Sequence, residues 1–424
     1  MPNRSHKLSS KEVPAAYQKT VLTNGIRIVT EEIPHVKSIS IGVWIDTGSR
    51  NETELTNGIS HFLEHMVFKG TEHRSTQQIA RSLESVGGYL NAFTTKEHTC
   101  YYARVLDEFT ELAVDVLSDL VQFPLFPEKE IEKEKLVVLE ELKNAEDDPD
   151  DLIHDYFETN IYSGHTLRFP VLGSARNVSS FKRRDLIAYV RERYNAGNIV
   201  IAAAGNFPHA KFVALVQKYF TLHRKPSARV QHSKISRVKK QTQKFEKPIQ
   251  QAHICTGTIG YSVHSKYRFP SLVMNTLLGD GMSSRLFQNI RERYGFAYSV
   301  YSFLNMLRDT GSFGVYLGTD KKHIQQALDL VFAELHSLRT KPIPKSELNR
   351  TKAQLKGSML LGLESTSARM MRLGTGELYF GEFTELETIS REIDSVTIED
   401  VTEVARQLIN EDSFSTVIFS PTNN

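Results

Sequence analysis

The order of motifs along this 424-residue chain occurs twice, and that duplication constrains its fold more than any single segment does. The stretch Lys341-Pro342-Ile343-Pro344-Lys345-Ser346-Glu347-Leu348 parallels Phe123 to Ile131, with Ile343-Pro344 standing 217 residues after Phe126-Pro127. Ahead of the first copy lie a hairpin signal from Val21 to Val29, a strand from Ser38 to Asp46, and a helix around residue 61. A helix opened by Ser75 and Gln78 and closed at Gly87-Gly88 follows, then strand-like residues through Val105 and a helix near Asp107 to Gln122. Ahead of the second copy come a strand from Ala252 to Ile259, a helix through Phe287 to Arg293, strands through Tyr298 and Phe313, and a helix from about Lys322. Asn24-Gly25 supplies the positive φ angles of a tight hairpin turn, and Ser75 with Gln78 forms a capping box. Alternating strands and helices in two similar runs predict an α+β protein of two homologous domains, each an antiparallel-rich sheet packed with helices. A chain this long also exceeds what one core usually supports. The expected bounds are 1–221 for the first domain, 222–250 for a linker rich in Lys, Arg, Ser and Gln, and 251–424 for the second.

A formal net charge of +2, spread over many acids and bases, gives no electrostatic case for nucleic acid or a membrane surface as partner. No apolar stretch approaches the length that spans a bilayer. Cys100 and Cys255 fall in separate apolar strand-like segments, which suits buried thiols in a reducing, cytoplasmic setting. The acidic run Asp147-Asp148-Pro149-Asp150-Asp151 is expected to be a solvated helix-end cluster, with attraction of basic peptides as its other reading.

Residues 61 to 65 read His61-Phe62-Leu63-Glu64-His65. On a helix, positions i and i+4 lie about 40° apart around the axis, so the two imidazoles converge on one ion with Glu64 on the same side. Ile59, Phe62, Leu63, Met66 and Val67 form an adjoining apolar stripe that anchors the helix. Seventy-six residues after His65 an acidic helix offers Glu141, with Glu134 two turns before it. A catalytic zinc site needs three protein ligands and one open position for water, and His61, His65 and Glu141 meet that count. Glu64 stands where a carboxylate can take the proton of that water. At the offset of 217, Ser358 occupies the position of Glu141, and the later half has no H-x-x-E-H, so only the first copy is expected to bind the ion.

The run His61 to Thr71, with Gly87-Gly88-Tyr89-Leu90-Asn91-Ala92-Phe93-Thr94 and Glu134-Lys135-Leu136-Val137-Val138-Leu139-Glu140-Glu141, resembles the pitrilysin family of metallopeptidases, in the branch of the mitochondrial processing peptidase β-subunit and its bacterial relatives. The resemblance spans nearly the whole chain. It implies one zinc ion per chain held by His61, His65 and Glu141, Glu64 as general base, and Glu134 as a supporting acidic residue. It further implies that Asn91 and Ala92 lie on an edge strand to which an extended peptide adds, with Phe68 near the pocket before the cleaved bond. Arg291 and Tyr298, seven residues apart, match a family pair that contacts substrate and the developing oxyanion, while spacing alone leaves Arg293 and Tyr301 as alternatives. The short segment Leu278 to Ser284 departs from the long glycine-rich loop of the metal-free partner subunit, so the chain resembles the catalytic type. In the family a chain of this length forms half of a clam-shell. The expected protein is therefore a zinc endopeptidase acting on unfolded or presequence-like peptides as a homodimer. The competing readings are a non-catalytic core subunit and a catalytic subunit that needs a different, metal-free partner.

Overall fold

The computed structural model describes residues 17–222, 235 and 240–422. Its first strands, β1 (Tyr17–Val21) and β2 (Arg27–Glu32), form the expected hairpin, with one correction to the turn. Only Gly25 has positive φ, at +98°, because Leu22 N bonds Ile26 O and leaves three residues in the loop rather than two. Asn24 contributes its side chain instead, accepting from Ile26 N at 3.2 Å and donating to Leu222 O at 3.0 Å.

Among the described residues there are two sheets, of six and five strands, and their strand orders match once the additional first strand, β1, is set aside. The first runs β1-β2-β6-β3-β5-β4, with β3 (Ser38–Ile45), β4 (Tyr89–Thr94), β5 (Thr99–Leu106) and β6 (Ile199–Gly205). The second runs β7-β11-β8-β10-β9, with β7 (Gln241–Lys247), β8 (Ala252–Gly260), β9 (Ala297–Met306), β10 (Gly311–Thr319) and β11 (Ser415–Pro421). Each sheet holds one parallel pair, β2 with β6 and β7 with β11, and the other pairings are antiparallel. Strands β4 and β9 therefore occupy equivalent edges. The duplication read from the proline breaks is present in the topology, and the protein is an α+β structure of two similar units.

Two features depart from domains cut consecutively from the sequence. Strand β7 lies inside the expected linker and pairs with β11 in register from Gln241 with Ser415 to Lys247 with Pro421. The basic run of that linker, through residue 239, falls outside the described residues apart from Ile235. More consequential is an exchange of helices. The Pro149–Ile161 helix, from the first half, packs on β8 and β11 of the second sheet, burying Ile153, Phe157 and Ile161 with Cys255, Val417 and Phe419. The Thr366–Phe380 helix, from the second half, packs on β2, β3 and β6 of the first, where Met370 and Leu373 meet Val29, Trp44, Val200 and Ala202. At the offset of 217 the first of these helices maps onto residues 366–378, so they are equivalent elements and each crosses to its partner's sheet. Both sheets have apolar residues on both faces, and each must be covered twice.

The acidic run begins the first crossing helix. Asp148 caps it by accepting from Asp150 N and Asp151 N, and Asp150 reaches His253 Nδ1 at 2.7 Å and Tyr316 Oη at 2.5 Å. Of its four carboxylates one thus caps this helix and one attaches it to the second sheet, which the reading of a simply solvated cluster did not include. A second tie comes from the β9–β10 turn, whose Arg308 pairs with Asp46 and whose Asp309 pairs with Arg50 at 3.0 Å, while Arg50 also meets Glu97. Cys100 and Cys255 are buried and unbridged, as expected. No helix among the described residues is long and apolar enough to cross a membrane.

The approach of the second crossing helix is set by glycine. A Cβ on Gly374 would lie 2.1 Å from Trp44 Nε1, and one on Gly42 would lie 2.5 Å from Met370 Sδ. Adding that methyl forces the helix off β3, so Gly374→Ala should destabilise the protein by about 1–3 kcal/mol despite alanine's better helix propensity. Urea melts of the two proteins check this, and an unchanged or raised midpoint would contradict the close packing.

Candidate metal centre

The chain ahead of the Ile59–Met66 helix fixes where that helix begins. Gly58 takes φ +97°, and a Cβ there would stand 2.9 Å from Gly173 Cα. The first amides of a buried helix need acceptors. Glu52 supplies them, accepting from Gly58 N and Ser60 N at 2.8 Å and from Asn57 Nδ2 at 2.9 Å. Burial pushes the Glu52 pKa up, with these hydrogen bonds pulling against it. Nothing in the local sequence distinguishes Glu52 from a solvated loop acid; only folding brings it under the helix.

The helix presents His61 and His65 with ring centroids 4.7 Å apart. Their Nε2 atoms each lie 3.6 Å from an oxygen of Glu141, which comes from the Glu128–Glu146 helix. The three residues offer ligand atoms all within 4.8 Å of one another. Donors at about 2.0–2.1 Å from a tetrahedral zinc lie about 3.4 Å apart, so the observed spacing closes on an ion with small side-chain shifts. Glu141 Oε2 and His61 Nδ1 are buried without hydrogen-bond partners. A carboxylate that turns one oxygen to each of two imidazole nitrogens, one of those oxygens bare, fits a divalent cation. Burial, then the charge of His65, pushes the His61 pKa down to about 3, leaving the neutral imidazole that a metal requires.

Glu134 acts through His65. Its Oε1 lies 2.9 Å from His65 Nδ1, and its Oε2 pairs with Lys69 Nζ at 2.7 Å. A carboxylate on Nδ1 holds the proton there and turns Nε2 to the metal position. Burial opposes both charges, yet their hydrogen bond raises the His65 pKa and helps lower that of Glu134. Glu64 stands beside the ligand trio, its Oε2 accepting from Thr94 Oγ1 at 2.6 Å. Burial raises its pKa, with Thr94 opposing. Thr94 was legible only as a strand residue; its hold on Glu64 depends on β4 lying against the helix.

The remaining candidates divide between the two units. Asn91 and Ala92 lie on β4, which pairs with β5 on one side and with no other strand among the described residues. Phe68 is half-buried, packed against the first core with its ring 6.4 Å from Tyr101. Arg291 lies in a stretch of wider, i+5 winding (Phe287–Glu292) in place of the α-helix expected there. Its guanidinium is 4.7 Å from the Phe287 ring and 5.6 Å from the Tyr298 ring, and Tyr298, on the edge strand β9, is 74% exposed. Of the competing pair, Arg293 is exposed and stacks on Tyr294, and Tyr301 is hydrogen-bonded to His154 at 3.0 Å, whereas Arg291 is half-buried beside the exposed Tyr298. Among the described residues no hydrogen bond or ion pair joins them to His61, His65 or Glu141.

Two family models match along the chain, Insulinase (Peptidase family M16) over residues 27–175 and Peptidase M16 inactive domain over residues 180–355. An uncharacterized zinc protease of Bacillus subtilis is 43% identical over 95% of this chain and 97% of its own length, and one of Streptomyces coelicolor is 39% identical over 92% and 87%. The chain belongs to peptidase family M16. The M16 fold is shared with the crystal structure of a protease from Helicobacter pylori, at a TM-score of 0.88 and 20% identity over 96% of this chain and 99% of that one. It is shared equally with a peptidase M16 inactive domain from Pseudomonas fluorescens, at 0.90 and 21% over 96% and 98%. Within this M16 chain the match to the inactive domain ends at residue 355, inside the Lys345–Gly362 helix on which Ser358 stands where the first copy has Glu141.

Proposed function

We propose that this M16 protein is a zinc-dependent endopeptidase whose ion is held by His61, His65 and Glu141. The observation that carries this reading is the convergence of two Nε2 atoms on a carboxylate whose buried oxygen has no hydrogen-bond partner. Zinc at this position would polarise a water and bring its pKa toward neutrality. Glu64, held by Thr94 and with a pKa raised by burial, takes the water's proton and delivers it to the leaving amide nitrogen. An extended peptide pairs with the free edge of β4, so backbone bonds present it to the site with little demand on sequence. The substrate class is unfolded or presequence-like peptide, and the working assembly is a homodimer in which Arg291 and Tyr298 stabilise the developing oxyanion.

Metal analysis tests the core of this reading. Purified protein should contain about one zinc per chain, and removing it with a chelator should abolish cleavage of an unstructured peptide, with zinc restoring it. Full peptidase activity in metal-free protein would refute the proposal, and bound zinc without any cleavage would favour a non-catalytic subunit.

A further inference from the structure

A cavity of about 350 Å³ lies on the seam between the two units, away from the metal ligands. On one side it is walled by Tyr17 of β1 and by Arg372 and Tyr379 of the helix that covers the first sheet. On the other side stand Arg268, which opens the helix packed on β9, and Ile389, which packs against the second core.

Among the described residues neither of its two guanidiniums has a carboxylate within ion-pairing distance, and Arg372 feels Glu31 and Glu387 only from farther off. Among the described residues that of Arg268 makes no hydrogen bond or ion pair and is covered by ring faces, 4.7 Å from the Phe380 centroid and 5.1 Å from that of Phe269. Arg372 donates to the Thr384 carbonyl and lies 4.7 Å from the Phe383 centroid. Burial pushes the pKa of both half-buried groups down, with the attraction of Glu31 and Glu387 opposing it at Arg372 and the repulsion of Arg369 adding to it. Nearby carboxylates are engaged elsewhere or lie at the rim. Glu377 is held by Lys19 at 2.8 Å and Arg27 at 3.5 Å, Glu31 is held by Arg369, and Glu382 and Glu387 are exposed. Ring faces compensate a desolvated guanidinium only in part, whereas a carboxylate can take two of its N–H donors at once. The walls are otherwise aromatic, with Tyr17 and Phe383 stacked at 4.3 Å, and the volume is that of a small-ligand site.

We propose that this cavity binds a small organic anion with an apolar body, a carboxylate carried on an aromatic group, and that the bound anion ties the two units together. The carboxylate would meet Arg268 and Arg372 while the ring packs against Tyr379 and Phe380. This proposal is independent of the peptidase reading.

The test titrates 3-phenylpropanoate into the full-length, zinc-loaded protein by calorimetry, with 3-phenylpropanamide as the uncharged control. Saturable binding of the acid is expected, at least tenfold tighter than the amide, with a rise in thermal midpoint. Arg268→Met and Arg372→Met should each weaken it tenfold or more. Gly376→Leu provides a blocking variant that does not depend on losing a charge. Gly376 lines the cavity, and an added Cβ there meets only the Glu382 carbonyl at 4.0 Å, so the chain accepts the residue while the cavity fills. Binding should then be abolished. Chelator-treated protein should bind the acid as tightly as the loaded form, which separates this site from a carboxylate landing on the metal. Equal binding of acid and amide, binding unchanged in Gly376→Leu, loss of binding with the metal, or no binding at millimolar acid would each overturn the proposal.

Discussion

Glu64→Gln is expected to lower peptide turnover by about a hundredfold or more while zinc stays bound, because the amide keeps the size of the carboxylate but cannot accept the water's proton. The structure makes this a clean substitution. Glu64 is outside the trio whose atoms converge, and its one hydrogen bond, from Thr94 Oγ1, can be accepted by the glutamine carbonyl oxygen. Glu141→Gln should behave differently, losing activity together with zinc, since it removes the anionic ligand. Measuring zinc content beside steady-state cleavage distinguishes the two. Turnover of Glu64→Gln within a few-fold of the parent would place the base elsewhere.

Mixing two inactive chains is expected to restore activity if the site is completed across a dimer. Arg291, half-buried, and Tyr298, exposed, are adjacent and unconnected to the ligand trio within the chain, as the shared-site hypothesis requires. A Glu64→Gln chain mixed with an Arg291→Ala, Tyr298→Ala chain then forms one composite site out of two, with the intact His61 helix of one chain opposite the intact Arg291 of the other. Each parent alone should be nearly inactive, while the mixed dimer, verified by mass, recovers up to half the activity of the unmodified protein. Verified mixed dimers no more active than either parent would eliminate the shared site, as would a fully active monomer.

What the sequence determined alone is what depends on short spans. The i, i+4 spacing of His61 and His65 with Glu64 between them is a property of one helix, and Ser75 with Gln78 closes its capping box within one turn. The duplication was legible because equivalent helices keep their spacing from the proline breaks, so the Glu128–Glu146 helix recurs as Lys345–Gly362. Edge-strand status for Asn91 and Ala92 came through family resemblance, and the sheet order agrees with it. Tertiary structure decided the rest. A helix with one apolar face carries no mark of which sheet it will cover, so the crossing of the Pro149–Ile161 and Thr366–Phe380 helices was hidden. The same holds for Glu52 under the metal helix, Thr94 on Glu64, and Arg268 and Arg372 around one cavity. A polar side chain's role is set by its partners, and these partners are brought together only when the two sheets have been covered on both faces.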